Sequence, residues 1–464
     1  MTLPRGFSVR LNHRVRVKDD GRVLVGGAPT RVVYLSEVAR RLLVGGILRV
    51  TDDTTERLAD RLLENGMADP VLAALPAAAD ASVTVVVPAR DRPAALDRLL
   101  GSLGSGIEVI VVDDQSLRRD DIAHVVGRHG ARLVRLPINV GPAGARNAGL
   151  RLVSSEYVAF IDSDMVVDPN TIPMLARHFA DPAVALVAPR IAGLVEHGRA
   201  GWVSQYEEAR SSLDLGRYPS IVRPRAPVSW LPAACLLARV EALDGGFSDD
   251  MRVAEDVDLV WRLAGRGWRV RYEPAVQAQH EHRVRIGDWL ARKTFYGTGA
   301  HSLALRHGHN VAPAVLSAWS VAAVLALLAQ RRWSLPVAGA ISAITAVRIA
   351  SKLGRSSHPM RLGLWLTGSG LVSALAQTGE LLLRHWWPMT VVGCLFSKRL
   401  RRAVLAAAIA DAVVEHRRTD SALDPVRFGV ARRLDDLAYG TGVWLGAVRG
   451  RSAKALLPDV RSRR

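Results

Sequence analysis

Tyr157-Val158-Ala159-Phe160-Ile161-Asp162-Ser163-Asp164 decides the reading of this 464-residue chain. Five apolar residues in a row, rich in aromatic and β-branched types, suit a strand covered on both faces. Two carboxylates, two residues apart, close it. The same grammar recurs upstream. Val83 to Val87 stops at Pro88, Val109 to Val112 ends in Asp113-Asp114, and Arg132 to Leu136 is a further run. Helical patterns such as Ala94 to Leu103 lie between them. Short buried strands alternating with helices predict an open, mainly parallel α/β sheet. Ligands of such sheets sit at the carboxyl ends of the strands, which is where the acidic residues fall.

Each acidic group has a chemical use and a plain structural one. Asp162 and Asp164 can share a hard cation whose remaining shell comes from phosphate oxygens and water; a solvated turn or a cap explains an isolated Asp-x-Asp equally well. In Asp113-Asp114-Gln115-Ser116 a carboxylate can accept the imide N–H of a uracil, or Asp114 or Ser116 can cap the next helix. Pro88-Ala89-Arg90-Asp91 closes the first strand in the same way. Asn139 to Gly149 is a small-residue loop entering a helix; there Arg146 can pair with phosphate or base, with Asn147 beside it. Glu255-Asp256-Val257-Asp258 opens another helix. Carboxylates are favoured at that end, but three within four residues exceed what a cap needs, and one can serve as a general base. His280, in Gln279-His280-Glu281-His282, can be a metal ligand, a phosphate donor or a surface histidine.

Taken in order, Val85 to Asp91, Val-Asp-Asp-x-Ser at 112–116, the Asn-x-Gly…Ala-Arg-Asn-x-Gly loop, Asp162-x-Asp164, Gly245-Gly246-Phe247, Glu255 to Leu259 and Trp261-Arg262…Gly267-Trp268 resemble the family-two inverting glycosyltransferases of GT-A fold. The resemblance spans about 82–282. It implies a UDP-sugar donor and a Mg²⁺ or Mn²⁺ cofactor. It implies uridine contacts by Asp91, Asp113 or Asp114, and Arg146, with Asn147 in the same donor loop. It also implies diphosphate and metal binding by Asp162 and Asp164, and base catalysis by Asp256 beside Glu255; His280 joins the metal set. Asp91 stands where asparagine is usual, and the Gln-x-x-Arg-Trp signature of processive synthases is not evident.

Residues 1–75 read as a separate module. Val15 to Val25 forms a hairpin around Asp20-Gly21, and helical patterns follow at Ser36 to Val44 and Thr54 to Glu64. This resembles the small winged-helix peptide-recognition domains of peptide natural-product pathways. Ala73 to Ala81 reads as a linker. The whole order of parts is similar to the glycosyltransferases of the mycofactocin system of actinobacteria. That resemblance implies an acceptor derived from a short ribosomal peptide, decorated with β-linked glucose.

The expected organisation is a peptide-recognition module (1–75), a GT-A domain (82–305), a membrane-associated helical region (306–420) and a basic tail (421–464). Val311 to Ala329, Trp333 to Val347 and Gly363 to Leu383 are largely apolar, and Val311 to Ala329 is long enough to cross or nearly cross a bilayer. Arg331-Arg332 would then lie outside, against the positive-inside tendency, so a re-entrant or interfacial hairpin is one alternative, and buried helices of a C-terminal helical domain are another. Net charge is +18, but the arginines form no aromatic-basic stripe, which argues against a nucleic-acid partner. The densest run, Lys398-Arg399-Leu400-Arg401-Arg402, adjoins apolar sequence and suits an anionic leaflet. Met1 to Leu11 has no apolar h-region. With only Cys235 and Cys394, no disulfide framework or zinc site is expected. Together these place the chain at the cell membrane with its catalytic part on the cytoplasmic face. Two other readings stay open: a membrane glycosyltransferase acting on a lipid-phosphate or cell-wall glycan, and a non-catalytic membrane scaffold that binds peptide.

Overall fold

A computed structural model describes residues 2–78, 81–194, 201–281, 285–419 and 421–461. The chain divides into two compact units, Met1–Glu196 with Ser211–His282, and His197–Arg210 with Arg283–Arg464.

The first unit begins with the N-terminal module. Ser8–Leu11 pairs antiparallel with Ile47–Arg49 on one side and Ala68–Pro70 on the other. Arg16–Lys18, Val23–Gly26 and Arg31–Tyr34 make a second antiparallel sheet. Ser36 caps the helix Glu37–Leu42, and Asp52 with Thr55 forms a capping box at the start of Asp53–Glu64. Phe7, Val9, Leu24, Leu48, Leu62 and Leu63 fill the core between them.

This module is fixed to the large sheet of the same unit. Asp69 lies 3.3 Å from Arg271, and Asp60 pairs with Arg269. Gly66 sits at φ +64°, and a Cβ there would come 2.8 Å from Ile221 Cγ2. The module can therefore approach that closely only because this residue has no side chain. The described part of the expected linker is held as well, because Arg177 donates to the Leu75 and Pro76 carbonyls.

The large sheet runs in the order Met165–Val167, Arg269–His280, Val184–Gly193, Cys235–Arg239, Tyr157–Ile161, Val83–Ala89, Glu108–Asp113 and Arg132–Arg135. Ser220–Ile221 pairs on the Arg269–His280 strand. The last four strands in this order are parallel, as expected. Cys235–Arg239 runs antiparallel to both its neighbours, so the sheet is mixed. The helix Gly141–Leu150 lies close against it. A Cβ on Gly149 would fall 2.4 Å from Val86 Cγ1.

In the second unit, the helices Ile286–His307 and Pro425–Arg449 pack along each other at glycines. A Cβ on Gly442 would fall 1.9 Å from the Thr294 carbonyl oxygen, and one on Gly297 would fall 2.1 Å from that of Tyr439. Buried ion pairs join Lys293 to Glu207 and Asp435, and Arg384 to Asp436. Two expectations change here. Pro425–Arg449 belongs to the stretch read as a basic tail, yet it buries Phe428, Ala431 and Val443 and is a central helix of the unit. The apolar run 311–329 is not one helix. It contains the strand Val315–Ser317 and then the 11-residue helix Ala318–Leu328, about 16 Å long at 1.5 Å per residue, against a bilayer core of about 30 Å. Gln330 at φ +47° ends that segment. Among the described residues no helix is long and apolar enough to cross a membrane.

Candidate functional site

The strand-end carboxylates of the first unit form two connected groups. The first shapes the loops above Val83–Ala89 and Glu108–Asp113. Asp91, at φ +53°, accepts hydrogen bonds from the Leu117 and Arg118 amides, and its own N–H donates to Ser116 Oγ. Asp113 Oδ1 accepts from the Ser116 amide at 2.9 Å. Asp114 accepts from Val140 N at 2.8 Å, Gly141 N at 2.9 Å and Asn139 Nδ2 at 2.7 Å. Asp114 is thus a cap, though not for the next helix; it holds the start of Gly141–Leu150, where a negative charge meets the helix dipole. A carboxylate has about four acceptor positions, so these bonds set the loops without exhausting the groups.

The second group is the Asp-x-Asp pair and the helix Glu255–Gly265. Arg146 ties them together. Its Nη2 donates to Asp162 Oδ1 at 2.6 Å and its Nη1 to Glu255 Oε1 at 3.0 Å. The guanidinium is buried and lies 5.3 Å from the centre of the Phe247 ring. Burial opposes its charge, but the Asp162 and Glu255 carboxylates outweigh that and raise its pKa. The sequence suggests Arg146 as a phosphate or base contact; the structure turns it onto the site's own carboxylates. Asn147, taken for the same donor loop, is a latch. It donates to the Phe247 carbonyl and Asp249 and accepts from the Phe247 amide. Asp258 is occupied likewise by Ser248 Oγ and Arg262.

Asp256 occupies the second position of its helix, which starts after Ala254 at φ +66°, a backbone state costing on the order of 1 kcal/mol for a residue with a side chain. Asp256 Oδ2 accepts from the Ala233 amide at 3.2 Å, and Oδ1 from the Val257 amide at 2.8 Å. The next carbonyl, that of Ala234, accepts the Asp162 N–H at 3.0 Å. One dipeptide therefore connects Asp256 to the Asp-x-Asp pair. Burial and then the neighbouring Glu255 charge push the Asp256 carboxyl up to about 7. That is the range in which a carboxylate exchanges protons efficiently near neutral pH.

Burial also raises Asp162, with Arg146 opposing it and Asp164 adding to it. For Asp164, burial acts upward but His280 and Arg92 prevail, holding it at about 2. Arg92 Nη1 donates to Asp164 Oδ2 at 2.8 Å, and His280 Nε2 is 3.5 Å from that oxygen. His280 is thus close enough to join the pair; His282 lies outside the described residues. Among the described residues no three or more His, Cys, Asp or Glu side chains gather as a ready-made metal cage. The donor chemistry still fits a hard divalent cation: two carboxylates with an imidazole beside them, one carboxylate carrying a burial penalty that a cation would relieve. Such an ion would need most of its shell from a ligand and water. Sequence reasoning missed Arg92, one residue beyond the Arg90-Asp91 pair it noticed, and the Ala233 amide, whose role depends on an antiparallel strand that no motif marks.

The glycosyl transferase family 2 pattern matches residues 84–236. An uncharacterised glycosyltransferase of Mycobacterium bovis is 33% identical over 192 residues, 41% of this chain and 82% of that one. A pre-mycofactocin glycosyltransferase of Mycobacterium tuberculosis is 41% identical over 470 residues, covering 99% of both chains. Carried by that full-length match and by the fold and motifs above, the chain belongs to the pre-mycofactocin glycosyltransferase family, within the family-2 glycosyltransferases, and is a glycosyltransferase.

Proposed function

We propose that this chain moves glucose, with inversion, from UDP-glucose to a peptide-derived redox-cofactor acceptor of the mycofactocin type, forming a β linkage. The single observation behind the chemistry is Asp256, raised to about 7 and joined through Ala233-Ala234 and Arg146 to the Asp162/Asp164 pair. Likeness over almost the whole length to a pre-mycofactocin glycosyltransferase supports the acceptor, as does an N-terminal module built into the catalytic unit.

Asp91, Asp113 and Asp114 shape the loops that receive the uridine. Asp162 and Asp164, with His280 beside them, would hold Mg²⁺ or Mn²⁺. The ion would supply positive charge to neutralise the diphosphate leaving group. Arg146 fixes Asp162 relative to the helix that carries Asp256. Asp256 takes the proton of the acceptor hydroxyl as that oxygen attacks the anomeric carbon. The bond from the anomeric carbon to the diphosphate oxygen breaks, and UDP departs with the electron pair. Glu255 stays paired with Arg146 and keeps Asp256 basic by its charge. A lipid-phosphate or glycan acceptor is the second reading, favoured by the exposed apolar helices of the second unit.

The test is a panel of UDP-sugars with mass analysis of a mycofactocin-type acceptor and of lipid-phosphate acceptors. One added hexose on the former, dependent on UDP-glucose, is expected; transfer confined to the lipid acceptor removes the peptide-derived assignment. In the same preparation, Asp164→Ala is expected to weaken Mn²⁺-dependent UDP binding by about tenfold or more, or ~1.4 kcal/mol, read by calorimetric titration with and without Mn²⁺. Identical titrations for the variant and the parent would remove the metal role.

A further inference from the structure

The second unit carries apolar surface that nothing in the unit covers. The helix Trp387–Phe396 is almost wholly apolar, yet Thr390 is its only buried residue. The helix Lys398–Thr419 buries none. They meet at a tight turn, where a Cβ on Gly393 would fall 2.7 Å from Leu400 Cδ2. At this turn Phe396 is 85% exposed and Leu395 70%, and Met389, near the other end of the same helix, is 62% exposed. Leu335 and Val372, on the helices Ser334–Ala350 and Pro359–Glu380 of the same unit, are similarly open. Soluble monomers seldom leave so much apolar surface bare without a partner for it.

Charge identifies the occupant. Lys398, Arg399, Arg401 and Arg402 follow the turn immediately. Arg401 reaches back to the Cys394 carbonyl at 2.7 Å, which keeps a cation at the end of the apolar helix. A second copy of this chain is the poorer fit, because a two-fold interface sets each patch against itself and would bring the two cationic runs together. Apolar side chains bordered by cations match a bilayer surface with anionic headgroups, entered from one side. We propose that the turn between Trp387–Phe396 and Lys398–Thr419 inserts shallowly into an anionic lipid surface, so that the second unit lies on the membrane without crossing it. This inference is independent of the acceptor's identity.

The test uses the full chain and co-sedimentation with vesicles of phosphatidylcholine, alone or with one-third phosphatidylglycerol. Binding is expected to be at least about tenfold tighter on the anionic vesicles and to persist in part in high salt, because apolar insertion is not screened. Leu395→Glu with Phe396→Glu is expected to abolish that salt-resistant part. Lys398→Gln with Arg399→Gln and Arg402→Gln is expected to remove the preference for phosphatidylglycerol. Unchanged thermal melting and elution volume show that the variants fold; if the glutamate pair does not fold, the glutamine set and the lipid dependence of the parent decide the matter. A chain that stays in the supernatant with both vesicle types overturns the proposal. So does a concentration-dependent dimer that the glutamate pair dissociates, which would assign the patch to a second copy.

Discussion

Asp256→Asn is expected to lower kcat by about 10³-fold while leaving UDP binding within a factor of about two. The substitution keeps the shape of the side chain and its acceptor oxygen, so the contact with the Ala233 amide at 3.2 Å can persist. What it removes is the capacity to take a proton. pH dependence supplies an independent check. The Asp256 carboxyl is raised to about 7 by burial and by Glu255, and a base works only unprotonated. In the parent enzyme kcat/KM should therefore be level above about 7 and fall tenfold per pH unit below it. The residual activity of Asp256→Asn should lack that acid limb. An unchanged limb in the variant would move the base to another group.

Arg146→Ala carries the second large effect, and it is structural first. The guanidinium is buried and paired with Asp162 at 2.6 Å and Glu255 at 3.0 Å. Removing one partner from a buried ionic group leaves the other charges uncompensated, at a cost of about 3–5 kcal/mol. The sign of its pH dependence follows from linkage. Without Arg146, the burial that already raises the Asp162 carboxyl would act unopposed, so the folded form would bind a proton more tightly there. The loss should then be full near neutral pH and shrink as pH falls toward the ordinary carboxylate range of about 4. Denaturant titrations of the parent and the variant at neutral and acidic pH measure this. An equal loss at both would indicate a packing defect in place of exposed charge. Metal-dependent UDP binding should fall with stability, because Asp162 loses its fixed position.

Much of this architecture could be read from periodicity. The apolar runs ending at Asp91, Asp113 and Asp162 are strands, and the carboxylates fall on one edge of the sheet because those strands are parallel. The helices of the N-terminal module begin at Ser36 and Asp52, whose capping chemistry is local. Long-range pairings were not legible. Arg146 reaches Glu255 across 109 positions, and nothing near either residue records that contact. The backbone amides that Asp91 and Asp114 accept were not legible either, because an acceptor facing a ligand and one facing a backbone amide belong to the same residue types. The strand Cys235–Arg239 lies between two chain segments far from it in sequence, so its direction had no local signature. Hydropathy also misled around 311–329, where an apolar stretch divides into a short strand and a short helix that no window average separates. The helix Pro425–Arg449 was hidden for the opposite reason. Its arginines look solvated in sequence, yet Arg432 is buried against Asp411 and Asp436.

The central claim is a single displacement with Asp256 as base, and the anomeric configuration of the product tests it most directly. UDP-α-glucose and a mycofactocin-type acceptor are incubated with the parent enzyme and Mn²⁺, and the new glycosidic proton is read by nuclear magnetic resonance. A β-linked glucoside from the α-linked donor is the predicted result. An α-linked product would mean that configuration is retained, and would contradict direct attack assisted by Asp256.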